Sequence, residues 1–190
     1  MSARPKKRMS QEEHLEFERG SDEKHEYLNG QIFAMSGAKR NHNKIVANLS
    51  GLLWQDLKDK DCEFYPNDMR VFVPKTGLYT YPHLVVVSGE PKFQDAVPDI
   101  LLNPVLLMDV LSESTEGYDR GRKFQHYRSI ESLKEYVLVS QDEARIEKYI
   151  KQGDGFWVLS EAVGLDSEIN LDSIECDLRL SEIFAKVIES

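Results

Sequence analysis

The chain is poor in the residues that build several common kinds of site. It has two cysteines in 190 residues, Cys62 and Cys176, too far apart for any metal-ligand spacing and too few for a disulfide framework. It has no glycine-rich phosphate loop, no Gly-x-Ser-x-Gly elbow and no His-Glu-x-x-His pattern, which removes support for P-loop nucleotide hydrolysis, serine hydrolysis and zinc proteolysis. No apolar run is long enough to span a membrane or serve as an export signal, so a reducing cytoplasm is the expected location. Repeats and low-complexity stretches are absent too.

Positive charge is also scarce. Lysine and arginine number 24 against 33 acidic residues, a net charge of −9, and because Arg4, Lys6, Lys7 and Arg8 all lie at the start, the rest of the chain carries −13. That balance disfavours non-specific binding to nucleic acid, which depends on neutralising many phosphates. A metal-dependent nuclease remains compatible with it, since the ion inverts the local sign of the field.

What is present is enough apolar residue, 41%, to bury one core. The expected organisation is a basic flexible arm over 1–9 followed by a single domain over 10–190. Ser10 with Glu13 predicts a capping box opening a short helix through about Glu18. Asn29-Gly30 predicts a hairpin within 25–35, with Glu26 and His25 on opposite faces. Ile45, Leu49, Leu52, Leu53 and Leu57 give one apolar stripe to a helix over 38–58, and His42 in its first turns reads as solvent-exposed.

Period-two alternation predicts single strands over 64–74 and 79–87, with Asp68 satisfied by the backbone or Arg70. The stretch 88–104, with three prolines and no period, reads as a long loop suited to a lid or a partner contact. A buried strand over 105–111, a helix over 118–128 begun by a local cap and ion pair of Tyr118, Asp119 and Arg120, two strands within 133–151, a third over 156–162 and a helix over 180–188 capped by Ser181 complete the reading. The fold class is α/β (α+β), a mixed β-sheet flanked by helices.

Asp109 stands out within that buried strand. An isolated carboxylate there would cost several kcal/mol or become neutral, so it requires a metal ion or a cation, which Lys123 or its neighbours could supply. The alternative is that Asp109 lies at the strand's rim and caps the turn Ser112–Thr115. Glu26, Asp109 and Lys123 could surround one hard cation, the lysine orienting a water for attack on phosphorus.

The segments KHEYLNGQIFAMSGA (24–38), NDMRV (67–71), YPHLVVV (81–87) and LLMDVLSESTEGYDRGRKFQHYRSIESLKEYVLV (106–139) recur in an order that is similar to the Uma family of restriction-endonuclease-like proteins, in the PD-(D/E)XK nuclease superfamily. The resemblance covers about residues 10–150. It implies a restriction-endonuclease-like core, DNA as substrate, and Mg²⁺ or Mn²⁺ as cofactor. Its catalytic positions fall on Asp109, Lys123, Glu26 and His83, and its metal ligands on Asp109, His83 and Glu26.

Two positions depart from the family pattern. Asp109 replaces a glutamate and keeps the charge, whereas His83 replaces an aspartate and offers a neutral nitrogen, a poor ligand for Mg²⁺ and a better one for softer ions. Three functions follow: a metal-dependent DNA endonuclease, an inactive nuclease fold that binds nucleic acid or protein, and a structural or assembly protein. A homodimer is expected, since two sites related by a two-fold axis most simply cut both strands of a duplex.

Overall fold

The expected capping box forms: Ser10 Oγ accepts from the Glu13 amide at 3.1 Å, and the Glu13 carboxylate accepts from the Ser10 amide at 2.8 Å. It opens α1 (Gln11–Arg19) in the computed structural model, which describes residues 8–35 and 37–188. Residues 1–7 of the expected arm lie outside that range. Its last residue is held, since the Met9 amide donates to Gly30 O and Met9 O accepts from the Tyr27 hydroxyl. Asn29 and Gly30, at φ of 51° and 83°, make the tight turn between β1 (His25–Leu28) and β2 (Gln31–Ala34).

α2 (Arg40–Leu57) buries Ile45, Leu49, Leu53 and Leu57 of the stripe anticipated from spacing, while its fifth member, Leu52, is half-buried and Val46 is buried beside them. Each fully buried side chain of this kind stabilises the fold by about 1.5–3 kcal/mol relative to exposure.

The strands expected over 64–74 and 79–87 each break in two. The first gives β3 (Cys62–Pro66) and β4 (Arg70–Val73); the second gives β5 (Leu78–Thr80) and β6 (Leu84–Ser88). β3 pairs with β6 in one sheet while β4 pairs with β5 in another, so the hairpin passes from sheet to sheet at a shared corner. Asn67 makes the corner in the left-handed region, φ 55°, and its amide donates to His83 O at 2.8 Å.

The stretch 88–104 is not structureless. It contains β7 (Ile100–Leu101), parallel to β4, and Arg19 clamps it through Asp95 and Asp99 at 2.9 and 2.8 Å. Such a tethered segment is poorly placed to act as a lid.

β8 (Leu106–Val110) is buried on both faces as expected. A helical segment follows, made of α3 (Glu116–Tyr118), a π-helical stretch Asp119–Lys123 and α4 (Phe124–Tyr127). Then come β9 (Glu135–Val139), β10 (Arg145–Lys151), β11 (Trp157–Val163), β12 (Glu168–Leu171), β13 (Cys176–Arg179) and α5 (Leu180–Ile183). The β12–β13 hairpin was not anticipated. α5 is shorter than expected, and Ser181 lies inside it rather than capping it.

The main sheet has the order β11-β10-β9-β8-β6-β3, with β8 and β9 parallel and the remaining pairs antiparallel; the second has the order β2-β1-β5-β4-β7. Leu106, Met108 and Val110 join the α2 stripe on one side of β8, while Leu107 and Leu111 meet Phe124, Tyr127 and Leu133 on the other. Asp109, by the period of the strand, belongs to the second side.

Candidate active site

Asp109 is fully buried within the ladder between β8 and β9, opposite Leu138 with Val110 paired beyond it, so it is not a rim residue capping the next turn. That turn closes on itself through the Thr115 amide and Ser112 O. The four residues singled out from sequence meet around the carboxylate. Lys123 Nζ is 3.1 Å from Asp109 Oδ2 and 3.7 Å from Glu26 Oε1, and His83 Nδ1 is 3.0 Å from Asp109 Oδ1.

Different elements supply them. β1 alternates, sending Glu26 to the Thr80 hydroxyl and Lys123 while His25 turns to Glu18. The sheet-switching corner supplies His83. The π-helical stretch ends on Lys123, which is buried beside Phe124.

The electrostatics turn on one cation. Lys123 lies within 4 Å of three carboxylates, the third being Asp119 at 3.4 Å. Burial by itself would raise the pKa of Asp109, but Lys123 and then His83 hold it well below the usual carboxylate range. Burial would likewise lower Lys123, and the surrounding acids, Asp109 first, keep it protonated. Asp119 is pushed up, chiefly by burial, with Lys123 opposing. Burial and Asp109 keep the Tyr136 hydroxyl protonated, and it donates to Asp109 Oδ2 at 2.9 Å.

Three participants escaped the sequence reading. Asp119 does not end in a local cap with Arg120; it turns inward to Lys123, while Arg120 pairs with Glu116 and Glu147. Tyr136 arrives from β9. The third is His42, which is buried rather than exposed, with Nε2 2.7 Å from Nε2 of His83. Burial and then the neighbouring His83 lower its pKa to about 4. A signal for it exists, since His42 precedes Ile45 by three residues and so continues the stripe Ile45, Leu49, Leu53. Asp68 pairs with Lys24 at 2.9 Å, not with Arg70, which donates to the Tyr81 hydroxyl.

A hard cation such as Mg²⁺ does not fit this donor set. Asp109 Oδ1 faces His83, Oδ2 takes the Tyr136 hydroxyl and Lys123, and Glu26 Oε1 takes the Thr80 hydroxyl. Among the described residues no group of three or more histidine, cysteine, aspartate or glutamate side chains is arranged to hold a metal ion. The donors that remain at the centre include the imidazole nitrogens of His83 and His42, which Mg²⁺ accepts poorly.

A mixed sheet with helices on its flanks, a buried carboxylate on a central strand and a lysine reaching it from the helical segment that follows make up this domain. The comparisons give its family. Residues 11–182 match the Uma2 family, described as "Putative restriction endonuclease", and the chain belongs to that family. Two proteins of Synechocystis sp. (strain ATCC 27184 / PCC 6803 / Kazusa) are similar to it. The protein sll1609 is 40% identical over 157 residues, 83% of this chain and 89% of the relative. The protein slr1290 is 37% identical over 180 residues, 95% of this chain and 93% of the relative. A crystal structure of "a putative nuclease belonging to DUF820" from Anabaena variabilis ATCC 29413 shares the fold, with a TM-score of 0.75 at 15% identity over 93% of this chain and 98% of that one. No helix among the described residues is long and apolar enough to cross a membrane.

Proposed function

We propose that the chain is a DNA endonuclease, hydrolysing phosphodiester bonds at the Asp109–Lys123–His83 centre. The observation that supports it is the convergence of Glu26, His83, Asp109 and Lys123, far apart in sequence, in a member of a nuclease family. Lys123 keeps Asp109 ionised, and Asp109 orients His83. His83 is the member that opens outward, its side chain 21% exposed against 6% for Lys123 and none for Asp109. The reacting end of the centre is therefore the His83 ring. Mg²⁺, the cofactor of the family pattern, is ill matched to these donors; Mn²⁺ accepts imidazole more readily.

A second reading has its own observation. Asp109 is so completely satisfied by Lys123, Tyr136 and His83 that the fold could serve to bind nucleic acid or a protein without cutting. Incubation of supercoiled plasmid with the purified protein, in Mn²⁺ and in Mg²⁺, separates the two. Nicking that falls at least about 100-fold in His83→Ala, with the fold retained by circular dichroism, is the expected result. Plasmid retardation without nicking in any ion would favour the second reading, and neither would count against both.

The proposed enzyme acts as a homodimer in the cytoplasm, one site for each strand of the duplex. The apolar surface best placed for such pairing is on β11, rather than on 88–104 or the C-terminal helix.

A further inference from the structure

The net charge of −9 is not spread evenly over the chain. Residues 27–55 contain no aspartate or glutamate, although the chain has 33 acidic residues, while Lys39, Arg40 and Lys44 lie within them. The stretch begins one residue after Glu26 and carries His42, so it borders the centre on two sides. We propose that its exposed face, Phe33 with Lys39, Arg40 and Lys44, holds the DNA as an unpaired strand, a base stacked on Phe33 and the phosphates following the basic side chains. DNA as the occupant rests on the nuclease reading; the surface and the preference for an unpaired strand go beyond it.

The position of Phe33 follows from strand pairing. β2 is the edge of the second sheet, and Phe33 lies directly opposite Glu26 of β1. Residues opposite each other in an antiparallel ladder project to the same face, with Cβ atoms about 5 Å apart. Glu26 points to Lys123, so Phe33 stands beside it on the same face, at the rim of the centre. Ile32 and Tyr27, the next pair, turn to the other face and pack together there. Phe33 is 51% exposed, so its ring contributes little to the core and leaves a flat face on which any base can stack. A duplex keeps its bases stacked on one another, and only a strand whose bases are free offers that ring a partner.

The basic side chains lie on the other flank. Lys39 precedes His42 by three residues, which sets the two near one face at the start of α2, and His42 touches His83. Arg40 and Lys44, four residues apart, continue away from the centre along the helix. None of the three pairs with a carboxylate among the described residues: Arg40 donates to Asn41 Oδ1 at 2.9 Å, and Lys44 donates to Lys186 O at 2.9 Å. Desolvation, then repulsion from Arg40 and Lys186, lower the pKa of Lys44, as expected where cations share a surface without a counter-ion. A phosphate backbone supplies that counter-ion. Elsewhere in the fold Arg19, Arg120, Arg145 and Lys148 each have a carboxylate partner.

Fluorescence anisotropy of a labelled oligothymidylate of about 16 nucleotides, and of a duplex of the same length, tests the surface on the full chain in EDTA, where no cleavage is needed. The single strand is expected to bind at least about tenfold more tightly than the duplex. Phe33→Ala should weaken single-strand binding about tenfold and duplex binding less than about twofold, while Phe33→Trp should retain both. Lys39→Gln combined with Arg40→Gln should weaken both and reduce the slope of log affinity against log salt by about 0.7 for each charge removed. All three residues are exposed, so unchanged urea midpoints separate these losses from misfolding. Equal binding of single strand and duplex by the wild type, or single-strand binding unchanged in Phe33→Ala, would overturn the proposal. Tighter binding to anionic phospholipid vesicles or to RNA of the same length would do so too. So would a Phe33→Ala variant that loses a dimer by light scattering yet binds DNA as before, since the face would then belong to a second copy. The expected binding pattern in a protein that nicks no plasmid in Mn²⁺ or Mg²⁺ would leave the surface standing and remove only the nuclease reading.

Discussion

His14 shows how one buried side chain can tie stability to pH. It is fully buried, stacked on Tyr27 at 4.7 Å and tilted against Tyr79 at 5.3 Å, and neither ring nitrogen has a hydrogen-bond partner among the described residues. Burial lowers its pKa to about 4; Glu18 opposes this, while Arg70 and His25 add to it. In the unfolded chain the ring takes its proton near the usual value of about 6.5. Between those values the unfolded state binds more protons, so stability rises with pH, and His14 withdraws it as pH falls from about 6.5 to 4. The effect is on the order of 2 kcal/mol. His14→Phe keeps the stacking and removes the proton. Urea midpoints at pH 7.5 and pH 4.5 should therefore differ less in the variant than in the wild type, and an equal difference would dismiss the assignment. Sequence gave no warning of His14, because its environment is made by β1 and β5 from elsewhere in the chain. Asp109 was legible for the opposite reason, as a charge inside an apolar run that demanded a partner.

Among elements, the sheet pairings that were missed were those fixed by distant side chains. The continuous alternation over 64–74 held no proline or glycine before Pro74 apart from Pro66, and the corner depends on Asn67 adopting φ 55° against His83 O. That corner places His83, so the misread strands and the site share one cause. The β12–β13 hairpin is a similar case. Glu135, fully buried at the start of β9, accepts from the amides of Asp172 and Ser173 at 3.0 and 3.2 Å and from the Ser173 hydroxyl at 2.6 Å, joining the hairpin's turn to the main sheet. Nothing local to 168–179 announces this anchor. Glu135→Gln keeps the shape but leaves one carbonyl oxygen for three donors and removes the charge opposite Lys148. A loss of about 2 kcal/mol is expected from the urea midpoint, since hydrogen bonds to a charged group are worth about 1.5–3 kcal/mol. Hydrogen exchange should quicken first in β12 and β13. A variant as stable as the wild type, with the hairpin equally protected, would show that Glu135 does not hold it.

For the whole molecule, the main sheet ends in two edge strands of different character. β3 lies against α2, whereas β11 is a seven-residue strand with Val158, Leu159 and Val163 exposed and Phe156 exposed just before it. An edge of this length carrying apolar side chains on both faces invites pairing with another chain unless charge or proline blocks it. β11 has no proline, and its one charge, Glu161, is paired with Arg145 of β10. Antiparallel pairing of β11 with its copy would be symmetric, the arrangement required by a two-fold dimer. The apolar residues of β11 were visible in sequence, but their exposure was not, because it depends on which strand ends the sheet. Light scattering should give a dimer at micromolar concentration. The double substitution Val158→Lys with Leu159→Lys should give a monomer, since like charges would face each other across the shared edge. Under the nuclease reading, that monomer should still nick supercoiled plasmid while producing linear product more slowly, because each site retains its residues and only the pairing of cuts is lost. A wild-type monomer at that concentration would remove the dimer, and a dimer unaffected by the lysines would place its interface away from β11.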